Sequence, residues 1–297
     1  MVADTSVVMK PGPWEHRRVA ANGARFNVAL AGKPGDPLVV LLHGFPSCWY
    51  EWRGVIPLLA EGGCHVAAMD LRGFGASDKT HRQINTPKFT FDVAGVISSL
   101  GYEGATIVGR GAGAHVAWAM PSYAPEVTDR IVAVGTPHPH AYRKTLLTSR
   151  LNPYIQAGKL PGVLERSLVS GEGVRTFLST WAHNQEAVLE AAELYTEALK
   201  LPFAARSAVE ILRWQASSPF RSDMRIYLKK IDQEIEVPAL AVRGAEDLMY
   251  DARAWEMSAQ WAPGLEQAVI ADAGHFVPEE APAALAERVL ALLGLSG

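Results

Sequence analysis

Residues 105–119 read Ala-Thr-Ile-Val-Gly-Arg-Gly-Ala-Gly-Ala-His-Val-Ala-Trp-Ala. A short apolar run ends in Gly109-Arg110-Gly111-Ala112-Gly113, and an alanine-rich apolar segment with helical spacing follows. Strand, glycine-flanked turn and helix together are the layout that lifts a nucleophile above a sheet, G-x-Nuc-x-G. The flanking glycines permit a very sharp turn, which sets the central residue beside the positive end of a helix. Here the central residue is Gly111, so the turn that presents a nucleophile carries no side chain to present.

Working outward from the turn, apolar strands alternate with helical patterns. Residues 14–30 predict a hairpin turning at Ala21-Asn22-Gly23. Residues 37–42 form a continuous apolar run, suited to a strand covered on both faces of a parallel sheet. That run ends at His43-Gly44-Phe45-Pro46. A second buried strand spans 65–69, a helix 90–100, the turn strand 105–109 and another strand 130–135. From 138 to about 222 the rhythm breaks into a long, helical block rich in Leu, Ala and aromatics. Strands at 237–243 and 266–271 then alternate with helices at 251–262 and 282–293. The expectation is an α/β fold with a mostly parallel twisted sheet flanked by helices, and function at the carboxyl ends of the strands. The core covers 1–137 and 223–297. Residues 138–222 form a helical lid inserted after the sixth strand.

Composition bounds the partners. The 297 residues are enough for a substantial core, and 48% hydrophobic with 20% charged is ordinary for a globular chain. A net charge of -3 without basic clusters argues against nucleic acid. No run approaches the roughly 20 apolar residues that span a bilayer, and the N-terminus lacks a leader pattern. Two cysteines, Cys48 and Cys64, supply neither a disulfide framework nor a metal pattern. The reading is a cytoplasmic protein, monomer or homodimer, without cofactor or metal. Gly109–Gly113 lacks both G-x-G-x-x-G spacing and a phosphate-binding lysine, which sets nucleotide binding aside.

Four candidate positions each fall just after a strand: His43–Phe45, Gly111, Asp247 and His275. Asp247 follows the 237–243 strand, with Glu246 and Asp251 as rivals, and His275 follows the last strand. An aspartate on a histidine Nδ1–H fixes the ring tautomer and leaves Nε2 as a base. Phe45 and Ala112 are placed so that their backbone N–H groups could form an oxyanion hole at Gly111. His43, Trp49 and Arg110 are expected at the substrate pocket, although Arg110 also suits a structural ion pair. Asp70 and Asp78 suit loop stabilisation. Ser47 and Cys48 are poor substitutes for a nucleophile at 111.

These residues carry a resemblance. His43-Gly-Phe-Pro-Ser-Cys-Trp-Tyr-Glu-Trp-Arg53 resembles the H-G-F-P-E-S-W-Y-S-W-R segment of epoxide hydrolases of the α/β-hydrolase fold. Asp70-Leu-Arg-Gly-Phe-Gly-Ala-Ser-Asp78 is similar to their D-x-R-G-Y-G-x-S-D segment, and the order turn, acid, histidine is that of the fold's triad. The similarity is weakest in the first 12 residues and mid-lid. It implies two lid tyrosines that hold the epoxide oxygen: Tyr154, from a Tyr-(x)6-Pro-Gly spacing, and Tyr227, in a segment similar to F-R-x-x-L-N-W-Y-R. It also implies an aspartate at 111 that forms an ester with substrate. The related haloalkane dehalogenases share the aspartate and add a tryptophan beside it, where this chain has Ala112.

Three expectations follow for a small or medium apolar ligand. His275 and Asp247 could activate water against an epoxide gripped by Tyr154 and Tyr227, whose hydroxyls must then face Gly111. The chain could be a ligand-binding pseudoenzyme that kept the pocket. Or Gly111 could be an altered position in an otherwise competent hydrolase. An esterase lacks its serine here.

Overall fold

The chain enters through the expected hairpin, Glu15–Ala21 (β1) and Ala24–Ala31 (β2), with Asn22 and Gly23 at φ 48° and 72° in the turn. Positive φ at both central residues gives a turn whose twist matches that of the strands. This is a computed structural model, and it describes residues 4–80, 84–145 and 152–295. Leu38–Leu42 (β3), Val55–Glu61 (α1), His65–Met69 (β4), Thr86–Ser99 (α2), Ala105–Arg110 (β5), Ala112–Tyr123 (α3) and Thr128–Val134 (β6) follow in order. Between β6 and the next strand lie Pro139–Thr145 (α4), Asn152–Lys159 (α5), Val163–Val169 (α6), Glu172–Trp181 (α7), Gln185–Leu189 (α8), Ala192–Lys200 (α9), Ala204–Gln215 (α10) and Ser222–Lys230 (α11). The chain closes with Ala239–Gly244 (β7), Ala252–Ser258 (α12), Glu266–Ile270 (β8), Val277–Glu280 (α13) and Pro282–Leu293 (α14). The helical run thus continues through α11, past the expected edge at 222.

The strands form one eight-stranded sheet in the order β1-β2-β4-β3-β5-β6-β7-β8. The pairs β1–β2 and β2–β4 are antiparallel, and the rest are parallel. This is the α/β-hydrolase fold that the sequence implied. Strands β3, β4 and β5 are buried along their whole length, which is why they read as unbroken apolar runs. From β3 the chain moves to β4 on one side, then crosses back to β5 on the other. That reversal leaves a crevice beyond the carboxyl ends of β3 and β5, where ligands of open α/β sheets bind.

Close packing explains the glycines around 111. A Cβ on Gly113 would run into the Leu42 carbonyl at the end of β3, and one on Gly109 into the Gly113 carbonyl. Helix α3 therefore sits directly against β3 and β5 because neither position has a side chain. Among the described residues, no helix is long and apolar enough to cross a membrane.

Candidate active site

The switch-point crevice is built from four loops. After β5, Gly111 takes φ 55° and ψ −116°, a conformation that side chains rarely tolerate, and α3 starts at the next residue. After β3, the loop 43–47 folds across this turn, so that an ideal Cβ on Gly111 would lie 3.1 Å from Gly44 Cα and 3.6 Å from the Phe45 nitrogen. The Gly113 N–H donates to the His43 carbonyl, 3.1 Å, which locks the two loops together. The Phe45 N–H thus borders the point from which a side chain at 111 would project, and Ala112 follows it as the first residue of α3.

After β8, His275 stands buried, and its Nδ1 lies 3.0 Å from Asp247 Oδ2 in the loop after β7. The other Asp247 oxygen accepts the Met249 N–H, 2.9 Å, so the carboxylate cannot swing away from the ring. Gly135, at the end of β6, lies against the same ring: a Cβ there would sit 3.2 Å from Nδ1. The expected dyad is assembled, with Asp247 rather than Glu246 or Asp251 as the partner. Asp251 instead caps α12 through the Ala254 N–H.

Phe45, Arg110, Gly111, Ala112 and His275 all line a small inner cavity of about 30 Å³, together with His115, Tyr142, Phe177, Leu212, Gln215, Met249 and Tyr250. A water needs roughly 10–15 Å³ measured this way, so the space matches one or two waters. Beyond it lies a larger cavity of about 390 Å³ among α5, α6 and α7, lined mainly by apolar side chains including Tyr154, Leu164 and Leu168. Phe45 belongs to both cavities, and its ring meets Phe177 edge-on at 4.9 Å.

Residues 37–282 match the profile of the alpha/beta hydrolase fold family. The chain belongs to the α/β-hydrolase fold family. Its relatives include a soluble epoxide hydrolase of Corynebacterium sp. (strain C12), 30% identical over 282 residues, 90% of this chain and 93% of that one. The AB hydrolase superfamily protein YfhM of Bacillus subtilis is 29% identical over 287 residues, 93% of this chain and 96% of the relative. Epoxide hydrolase A of Mycobacterium thermoresistibile superposes with a TM-score of 0.79 at 25% identity, over 95% of this chain and 98% of that structure.

Within this α/β hydrolase, several expected pocket residues turn out to be scaffold. His43 is fully buried below the crevice: its Nε2 accepts the Leu71 N–H, 3.1 Å, and Nδ1 faces the Gly44 carbonyl. Burial lowers its pKa, which keeps the ring neutral as that acceptor role requires. Trp49 packs beneath the N-terminal segment and donates to the Val8 carbonyl, 2.8 Å. Neither lines the inner cavity. Arg110 does border it, but its guanidinium is spent on Glu51, 2.6 Å, and on Ser47, 3.0 Å. Asp70 accepts from Asn27, Trp49 and Ala76, and Asp78 from Arg25, as expected of loop stabilisers. Cys48 is no nucleophile, because burial pushes its thiol well up.

The lid tyrosines require correction. Tyr227 is buried against Trp214 and stacks on Tyr123, at the far end of α3 from Gly111. Its neighbourhood is a separate cavity of about 10 Å³, and among the described residues its buried hydroxyl has no hydrogen-bond partner. Helix α11 leads into β7 and meets the end of α3 through Tyr123, a placement that motif spacing does not reveal. Tyr154 lines the outer cavity, edge-on to Phe177 at 4.9 Å. The two do not converge on Gly111.

Other polar residues occupy the wall instead. Tyr142 in α4 and Tyr250 after β7 both line the inner cavity, with ring centres 5.9 Å apart. Burial pushes both phenols up, so both stay protonated. Their signal was available: Tyr142 follows the end of β6, and Tyr250 shares a loop with Asp247. Glu280 was also missed. Its carboxylate accepts four backbone N–H groups, from Gly274 and Phe276 on either side of His275, and from His183 and Asn184 in the helical insert.

Proposed function

We propose that this chain is an epoxide hydrolase-like enzyme in which water, activated by His275 and Asp247, stands where the fold ordinarily projects a nucleophilic side chain. One observation carries the reading: His275, the bare Gly111 and the Phe45 and Ala112 segments share one water-sized cavity. In the reaction, His275 Nε2 takes a proton from the water, while the Phe45 and Ala112 N–H groups favour the developing hydroxide. The water oxygen bonds to an epoxide carbon, the ring C–O bond breaks, and the alkoxide takes up a proton from solvent while the His275 imidazolium returns its own to solvent, which restores the base. Epoxide plus water becomes a vicinal diol. The apolar body of the substrate fits the 390 Å³ outer cavity.

General-base assistance is worth typically 10²–10⁴-fold, so turnover should be slow. The test is single-turnover hydrolysis of an aryl epoxide in heavy-oxygen water. The label should appear in the diol in the first turnover, and His275→Ala should abolish the reaction. Tyr227→Phe should leave it unchanged. Full activity in His275→Ala would sink the proposal.

The tightness of the inner cavity, roofed by Phe45 and Phe177, favours a second reading: a ligand-binding protein without turnover. Thermal stabilisation by epoxides with no diol formed would support it.

A further inference from the structure

Of the polar side chains on the inner cavity that the proposed water attack does not use, Arg110, His115, Tyr142, Gln215 and Tyr250, the amide of Gln215 stands apart. Gln215 is the last residue of α10, on the same face as Ala208, Ile211 and Leu212, and it is 7% exposed. Among the described residues its side-chain Nε2 is buried with no hydrogen-bond partner. The backbone around it is fixed, since Arg143 donates to the Gln215 carbonyl at 2.9 Å and to the Ser217 carbonyl at 2.6 Å. An amide donor held in an apolar helix face without an acceptor is unfavourable, and such a group invites an explanation. Arg110 Nη1 is the other unpartnered nitrogen among the lining residues, but that guanidinium is already tied to Glu51.

We infer that Gln215 is the ligand-oxygen donor of this site: its Nε2–H holds a neutral acceptor oxygen, such as an ether, epoxide or carbonyl, opposite His275. This rests on the inner cavity being the reaction site, and it names the group that grips the substrate there. The chemistry differs from that of a tyrosine pair. A carboxamide donates a hydrogen bond but does not give up its proton, so it orients an oxygen and stabilises an alkoxide without acting as an acid. On its other side Gln215 borders the 10 Å³ cavity shared with Tyr227, which is at the lower limit for a single water. The inner cavity is the larger of the two, and it is the one that contains the base.

The test uses two unreactive probes of nearly the same shape, acetophenone and α-methylstyrene, which differ by a carbonyl oxygen in place of a methylene. Neither is hydrolysed, so the outcome does not depend on turnover. Dissociation constants are measured by calorimetry for the full chain and for Gln215→Leu. Replacing the amide should shift the ratio of the two constants toward the hydrocarbon by roughly five- to tenfold, the effect of one hydrogen bond. Tyr142→Phe, which removes another donor of the cavity wall, should move the ratio less than Gln215→Leu does. If Gln215→Leu does not fold, Gln215→Met carries the same test. An unchanged ratio in the Gln215 variant, a ratio that moves with Tyr142→Phe instead, or no binding of acetophenone by the unaltered chain would overturn the assignment. Failure of epoxide hydrolysis alone would not.

Discussion

Glu51 Oε2 lies 2.6 Å from Arg110 Nη2, with both side chains sealed from solvent. The same carboxylate group accepts the Gly44 N–H at 3.2 Å and the Ser47 hydroxyl. One buried anion therefore ties the loop carrying Phe45 to the residue that precedes Gly111. Glu51→Gln strands the arginine charge and should destabilise the fold by about 3–5 kcal/mol in urea titrations. The double change Glu51→Leu with Arg110→Met should be less harmful than either single change, because no unpaired charge remains.

Gly111→Asp places a carboxylate at the tip of the turn. Its backbone, at φ 55°, disfavours any side chain, and the new Cβ would press on Gly44 Cα at 3.1 Å. We expect a loss of about 1–3 kcal/mol in stability from backbone strain. Epoxide hydrolysis should nevertheless rise above that of the unaltered chain, with an ester intermediate trapped by rapid quench and mass spectrometry. Lower stability with no gain in rate would show that the remaining groups are not competent.

Glu280 grips both the His275 loop and the 183–184 segment of the insert. Glu280→Ala should lower kcat more than it raises KM, because the base loses its orientation while the apolar cavity is untouched. Amide hydrogen exchange at His183, Asn184 and Phe276 should quicken together. Faster exchange at only one of the two segments would argue that the carboxylate does not couple them.

Glu279 gives a pH signature. Burial raises its pKa from 4.5 to about 7, against the opposing pull of Arg53 at 2.7 Å, and Tyr195 donates to it at 2.8 Å. A carboxyl raised in the folded state binds its proton more tightly there than in the unfolded chain, so its contribution is greatest at low pH. Stability from this group should therefore fall as pH climbs from 4.5 through about 7. Glu279→Gln should flatten Tm over that window, as read by calorimetry at several pH values.

The sheet and the dyad were legible because local chemistry fixes them. Gly109, Gly111 and Gly113 are demanded by a turn and by close approach, and Asp247 and His275 follow strands whose apolar runs place them at one edge. The insert was not legible to that depth. Which face of α11 or α5 meets the crevice depends on how several helices pack together, so Tyr227 and Tyr154 could not be placed by spacing to a motif. Gln215 did carry a signal, a lone amide in the apolar stripe of α10, yet the same pattern fits a satisfied core glutamine. Only its missing partner separates the two cases.

The shared anchorage on Glu280 has one further implication. The roof helices and the imidazole cannot shift independently, since a displacement that widens the path for a bulky guest also pulls on the loop that aims the base. On the proposed function, admitting a guest and attacking it then call for different postures of one assembly.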